Sequence, residues 1–105
     1  KEKYKKDCMI YNLVFLEKAK KDIEDAFKYY ENIQQNLGFK FEDDLYKSIE
    51  LIEKNPLHFK KIKQENRQLL MSVFSYVVVY QVVETNIIIA RVFHTSRNPK
   101  YKFKK

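Results

Sequence analysis

The residues best suited to chemistry gather near the end of the chain. The stretch "RVFHTSRNPKYKFKK" sets Arg91, His94, Ser96, Arg97 and Asn98 close together, then adds Lys100, Lys102, Lys104 and Lys105 with no acid among them. An imidazole can exchange a proton near neutral pH, and a guanidinium can hold a carboxylate or phosphate through two parallel hydrogen bonds. His94 is therefore a candidate general base, and the cationic run a candidate docking site for an anionic partner. The plainer readings are a hydrogen-bonded histidine at a strand end and a solvated basic tail.

Other charged residues divide in the same way. Arg67 and Arg91 can serve a site, or they can pair with acids such as Asp22, Glu24 or Asp44. Lys60, Lys61 and Lys63 either extend the basic surface or keep a connector soluble. The run Glu42, Asp43 and Asp44 opens a helix, where the helix dipole favours negative charge, so it does not call for a metal. Cys8, His58 and His94 lack the close pairing of a zinc site, and a single glycine cannot build a phosphate-cradling loop. No cofactor and no metal are expected.

The whole chain bounds these readings. Its 105 residues suffice for one compact domain, and 45% hydrophobic with 33% charged residues is a folding composition, not a disordered one. No apolar run approaches the roughly 18 residues that span a bilayer, so no membrane partner is expected. Residues 1–8 read as an N-terminal extension, native or engineered, ahead of Met9, and residues 9–105 as the single domain. No export signal is read in residues 1–16, and the lone Cys8 suits a reducing cytoplasm. The net charge of +7 divides as +4 over residues 1–21, −6 over 22–53 and +9 over 54–105. An acidic element thus sits beside a strongly basic half, which attracts nucleic acid or an acidic protein segment.

The elements that must position these groups follow from periodicity. "MIYNLVFL" (9–16) predicts a strand, and Ala19, Ile23, Ala26, Phe27, Tyr30 and Ile33 predict an amphipathic helix from Glu17 to about Gln35. Gly38 in "NLG" reads as the left-handed stop of that helix. Phe41, Leu45, Ile49 and Ile52 stripe a second helix that ends at Asn55-Pro56. The two should pack as an antiparallel hairpin with their acids outward. Strands are then predicted at 67–74, 76–83 and 86–93, with consecutive antiparallel pairing.

The expected fold is α+β with the order β-α-α-β-β-β, the helical hairpin covering one face of a mainly antiparallel four-stranded sheet. Strict alternation puts Ile87, Ile89, Arg91 and Phe93 on one face of the last strand and Ile88, Ala90, Val92 and His94 on the other. Both faces are largely apolar. The face away from the helices is therefore expected to be an exposed hydrophobic surface awaiting a partner.

Four segments in this order, "AKKDIEDAFKYYE", "LGFKFEDDLYKSIELIEKNP", "YVVVYQV" and "RVFHTSRNP", resemble the RelE/ParE superfamily of type II toxin-antitoxin toxins, also called plasmid stabilization proteins. The resemblance runs from residue 10 to about 101. It implies a small cytoplasmic toxin that arrests growth, is neutralised by a cognate antitoxin, and meets DNA only through that antitoxin.

The superfamily has two branches. The RelE-like branch cleaves messenger RNA on the ribosome without metal, with a base for the 2′-hydroxyl, cations for the pentavalent phosphate and an acid for the leaving oxygen. Its basic strand positions fall here on Gln68, Leu70 and Val77, and of its pattern Arg97 persists, while Phe103 stands where a tyrosine is expected, with Tyr101 nearby. On that alternative, a metal-independent endoribonuclease, the candidates are Arg67, Arg91, His94, Arg97 and Tyr101.

The ending "RVFHTSRN" is closer to the ParE-like branch, which acts on DNA gyrase without cleaving RNA. That favours a binding toxin rather than an enzyme, with Arg91, His94, Ser96, Arg97, Asn98, Lys100 and Lys102 as its contact residues. A third reading, from another class, is a non-catalytic basic module that holds nucleic acid through phosphate contacts.

Overall fold

The structure is a computed structural model that describes residues 11–96. Cys8, Met9, Arg97, Asn98, Lys100, Tyr101, Lys102, Phe103, Lys104 and Lys105 lie outside the described residues. Strand β1 (Asn12–Phe15) leads into helices α1 (Glu17–Ile33) and α2 (Leu37–Lys54), and strands β2 (Lys61–Lys63), β3 (Asn66–Leu70), β4 (Tyr76–Val83) and β5 (Asn86–His94) follow. They form one sheet in the order β1-β5-β4-β3-β2, with β1 parallel to β5 and every other pair antiparallel. The sheet thus has five strands, not the four expected from sequence. The extra one, β2, carries a single apolar residue, Ile62, and pairs Lys61 with Arg67.

The helices cover one face. Ala19 and Ala26 of α1 and Phe41, Leu45, Ile49 and Ile52 of α2 close over Tyr76, Val78 and Tyr80 of β4 and Ile87, Ile89 and Val92 of β5. Tyr30, Phe41, Phe74 and Tyr76 form an aromatic knot at one end, with Tyr30–Phe74 and Phe41–Tyr76 ring centroids both 4.9 Å apart. Edge-to-face pairs of this kind add to what burial alone contributes.

The helical hairpin turns differently from the sequence reading. Asn36, at φ 73°, takes the left-handed conformation, and Gly38 lies in the first turn of α2. Glu31, in the last turn of α1, accepts from the amides of Asn36 (3.2 Å) and Gly38 (2.9 Å), so α1's own carboxylate satisfies the opening amides of α2. Gly38 serves close approach instead: a Cβ there would stand 2.8 Å from the Phe27 carbonyl oxygen.

Two further expectations are corrected. The β4–β5 register shifts by one residue between Val79 and Tyr80, pairing Val79 with Arg91 but Tyr80 with Ile89, so Ala90 forms a bulge. After it, Val92 and His94 share the helix-facing side with Ile89, while Arg91 and Phe93 lie with Val77 and Val79. The helix acids also do not all face outward, since Asp44 is buried and the Asp22 side chain is only 16% exposed.

The far face is not the open hydrophobic surface expected. Val77 and Val79 at its centre are each 5% exposed, with Ile62 and Phe93 packed on them. Leu70 and Val83 remain exposed toward its margins. No described helix is long and apolar enough to cross a membrane.

Candidate functional site at the end of the last strand

Strand β1 ends at Phe15, opposite Ile89, so beyond that point β5 has no strand on this side. Its next inward amide, at Val92, would be an unsatisfied donor at the sheet edge. Helix α1 crosses here, and Asp22 in its second turn accepts from Val92 N (2.9 Å). The same carboxylate accepts from Arg91 Nε (2.7 Å) and Nη2 (3.1 Å). The Ala90 bulge turns Arg91 toward the edge for this fork, and its guanidinium carbon stands 4.4 Å from the Phe93 ring centre. The hydrogen bond to Asp22 raises the Arg91 pKa above its ordinary value.

His94 lies opposite Tyr76 at the end of β5, with the two rings 5.2 Å apart and nearly perpendicular. Its Nδ1 accepts from the Ser96 backbone amide at 3.0 Å. Through this acceptor the histidine orders the chain after the strand. Asp22, Asp25, Tyr29, Tyr76, Phe93 and His94 border an open cleft of about 280 Å³ between α1 and β5.

Arg67 is elsewhere. It pairs with Tyr80 while His94 pairs with Tyr76, which separates them by roughly 13 Å along the strand at about 3.3 Å per residue. Its Nη1 donates to the carbonyls of Leu57 (3.1 Å) and Phe59 (2.8 Å). The fully buried Tyr80 hydroxyl donates to Pro56 O at 2.7 Å, and burial pushes its pKa up to about 12. Arg67 and Tyr80 together tie the connector between α2 and β2 to the sheet. Lys61 of that region pairs with Glu65 at 3.3 Å.

The structure therefore joins His94 to Ser96, sets Arg91 on the other face of β5 against Asp22, and leaves Arg67 apart. Sequence reasoning named Asp22 as a possible partner of an arginine, but missed its hold on the Val92 amide. It named Asp44 as a helix acid and possible arginine partner, and missed that its carboxylate accepts from the amides of Val73 (2.9 Å) and Phe74 (2.8 Å). A buried acid in an otherwise apolar stripe, between Phe41 and Leu45, was the available signal.

A helical hairpin on one face of a mixed sheet, with its first and last strands side by side and parallel, is the α+β fold of the RelE/ParE superfamily of toxins. Within that class, the family model described as "ParE toxin of type II toxin-antitoxin system, parDE" matches residues 13–99, and the chain belongs to this family. The solved "Chromosomal ParDE TA system from P. aeruginosa" is similar in fold, with a TM-score of 0.72 at 16% identity over 82% of this chain and 97% of that one. The isolated E. coli RelE toxin aligns with a TM-score of 0.47 at 19% identity, over 88% of this chain and 92% of that one. A comparison with curated proteins gives no match.

Proposed function

We propose that the protein is the toxin of a type II toxin-antitoxin pair, acting in the cytoplasm by binding DNA gyrase and neutralised by a cognate antitoxin. The observation that carries binding over RNA cleavage is the employment of the two strand arginines. Arg67 holds the carbonyls of Leu57 and Phe59, and Arg91 is forked onto Asp22. Stabilising charge on a pentavalent phosphate requires cations aimed at the reacting centre, and these two are engaged by acceptors of the protein itself. Family membership supports the toxin role.

The antitoxin has a suitable seat in the groove of about 390 Å³ beside edge strand β1. Phe15, Ile23, Phe27 and Tyr46 give it apolar walls, with Lys20 and Glu24 at its rim. An amphipathic segment could bury its apolar side there. Purified protein is expected to inhibit gyrase supercoiling, and stoichiometric antitoxin to restore it. Full supercoiling activity at saturating toxin would reject gyrase as the target.

A further inference from the structure

Strand β3 ends at Leu70 and β4 begins at Tyr76, so residues 71–75 lie outside the regular ladder. Two of their amides, Val73 N and Phe74 N, turn toward α2 and meet a single oxygen, Asp44 Oδ2, at 2.9 and 2.8 Å. Asp44 is 5% exposed, and among the described residues no lysine or arginine pairs with it. A buried carboxylate held by amides alone costs desolvation that an apolar side chain at this position, between Phe41 and Leu45, would avoid. What the acid contributes is therefore placement: it fixes where the loop lies against the helix.

The loop passes this placement on. Tyr76 N donates to Phe74 O (2.8 Å) and Met71 N to Tyr76 O (2.9 Å), so the ends of the loop close on each other. Between them, the Ser75 carbonyl accepts from Thr95 N at 2.8 Å. The β4–β5 ladder stops at Tyr76 and His94, so Thr95 is the first residue past the strand, and this bond holds it. His94 Nδ1 then accepts from the Ser96 amide at 3.0 Å. A run of hydrogen bonds thus leads from the buried acid of α2 to the two described residues, His94 and Ser96, assigned to target contact.

We propose that Asp44 is a positioning residue for target binding: through loop 71–75 its carboxylate fixes Thr95, and with it the direction in which the chain leaves β5. The inference rests on the binding-toxin reading, in which His94 and Ser96 touch the target. Asp44 itself is too buried to do so, and its effect on binding passes through the loop. Residues ordered in advance lose less freedom on association, so an ordered exit from β5 binds more tightly than a loose one. The rival anchor is the Phe74 ring, packed on Tyr30 and Phe41. If that packing alone held the loop, the acceptor on Asp44 would be dispensable.

Two variants separate these cases. Asp44→Asn keeps an acceptor oxygen in place, whereas Asp44→Leu removes it and fills the volume with apolar atoms. Residue-resolved amide hydrogen exchange and inhibition of gyrase supercoiling are measured on both beside wild type. In Asp44→Leu the Thr95 amide is expected to exchange about tenfold faster, with no matching change in the slowest amides of β4 and β5, which report global stability. The same variant should need about tenfold more protein for equal inhibition, and Asp44→Asn should match wild type in both readouts. Unchanged exchange at Thr95 in Asp44→Leu overturns the proposal, as does an equal change in Asp44→Asn. So does faster exchange with inhibition at the wild-type level, or failure of Asp44→Leu to fold, which would make Asp44 a residue of stability alone. Should wild type spare gyrase, that target fails by itself, and growth arrest on induction replaces it: arrest lost in Asp44→Leu but kept in Asp44→Asn at equal cellular level supports the proposal, and arrest kept in both overturns it. A wild type that neither inhibits gyrase nor arrests growth sinks the binding-toxin reading, while exchange at Thr95 still decides whether Asp44 orders the end of β5.

Discussion

Asp22 holds Arg91 through two hydrogen bonds, at 2.7 and 3.1 Å, while its oxygen also accepts the next backbone amide of β5. One carboxylate thereby fastens α1 to the sheet edge and fixes the strand that ends in His94. Asp22→Ala is expected to cost about 2 kcal/mol, since it leaves both an amide and a guanidinium without their acceptor. Arg91→Ala should cost less, because the amide keeps its partner. A urea double-mutant cycle measures the coupling, and additive losses would mean that the pair contributes nothing beyond its separate parts. Because the folded Arg91 pKa is raised by the Asp22 carboxylate, its share is present below the ordinary arginine value while that carboxylate is ionised, and is lost as pH rises through the folded value.

Tyr80 gives a prediction with a spectroscopic readout. Tyr80→Phe removes the donor to Pro56 O and should cost about 1 to 2 kcal/mol by leaving that carbonyl unpaired. With a folded pKa of about 12, the phenol keeps its contribution below its ordinary value of 10.0, and stability falls as pH rises from there through the folded value. Ultraviolet titration of the folded protein should show a late phenolate step that Tyr80→Phe removes.

Gly38 tests the hairpin. A methyl group there would meet the Phe27 carbonyl oxygen, the Phe27 ring and Glu31 Cγ, each at 2.8 Å. Alanine is a better helix former than glycine, yet Gly38→Ala should destabilise by about 2 kcal/mol, because overpacking against backbone outweighs the propensity gain. A higher melting temperature in this variant would show that the two helices can separate at little cost.

Glu53 provides a pH test of the same sign in the acid range. Burial, and then the nearby Glu50 charge, raise its pKa above the usual 4.5. The folded state therefore holds this proton more tightly, so the associated stability is present below the ordinary value and is lost as pH rises through the folded one. Glu53→Gln should raise the melting temperature slightly at pH 7 and leave it unchanged below pH 4. Equal effects at both values would assign the change to packing.

How far the residues announced this structure varies along the chain. "YVVVYQVV" predicted β4 to its ends because β-branched and aromatic residues fill it between turn residues. β2 escaped notice because Lys61-Ile62-Lys63 has no apolar pattern of its own and exists by pairing with β3. The bulge was invisible because "IIIA" is apolar on both sides, so no polar residue before Arg91 marked the slip. Without it, His94 falls on the wrong face. The roles of Asp22 and Asp44 were hidden for another reason: their amide partners lie 70 and 29 residues away, beyond any local pattern.

The parallel pairing of β1 with β5 joins Asn12 to Asn86 and Phe15 to Ile89, the first and last strands of the described chain. During synthesis, β1 and the hairpin of helices emerge long before their partner exists. A nascent chain can pair β2, β3 and β4, but it cannot shut the sheet until β5 leaves the ribosome. Closure of the sheet is thus postponed until β5 has been made, which leaves an interval in which the earlier elements exist and their last pairing partner does not.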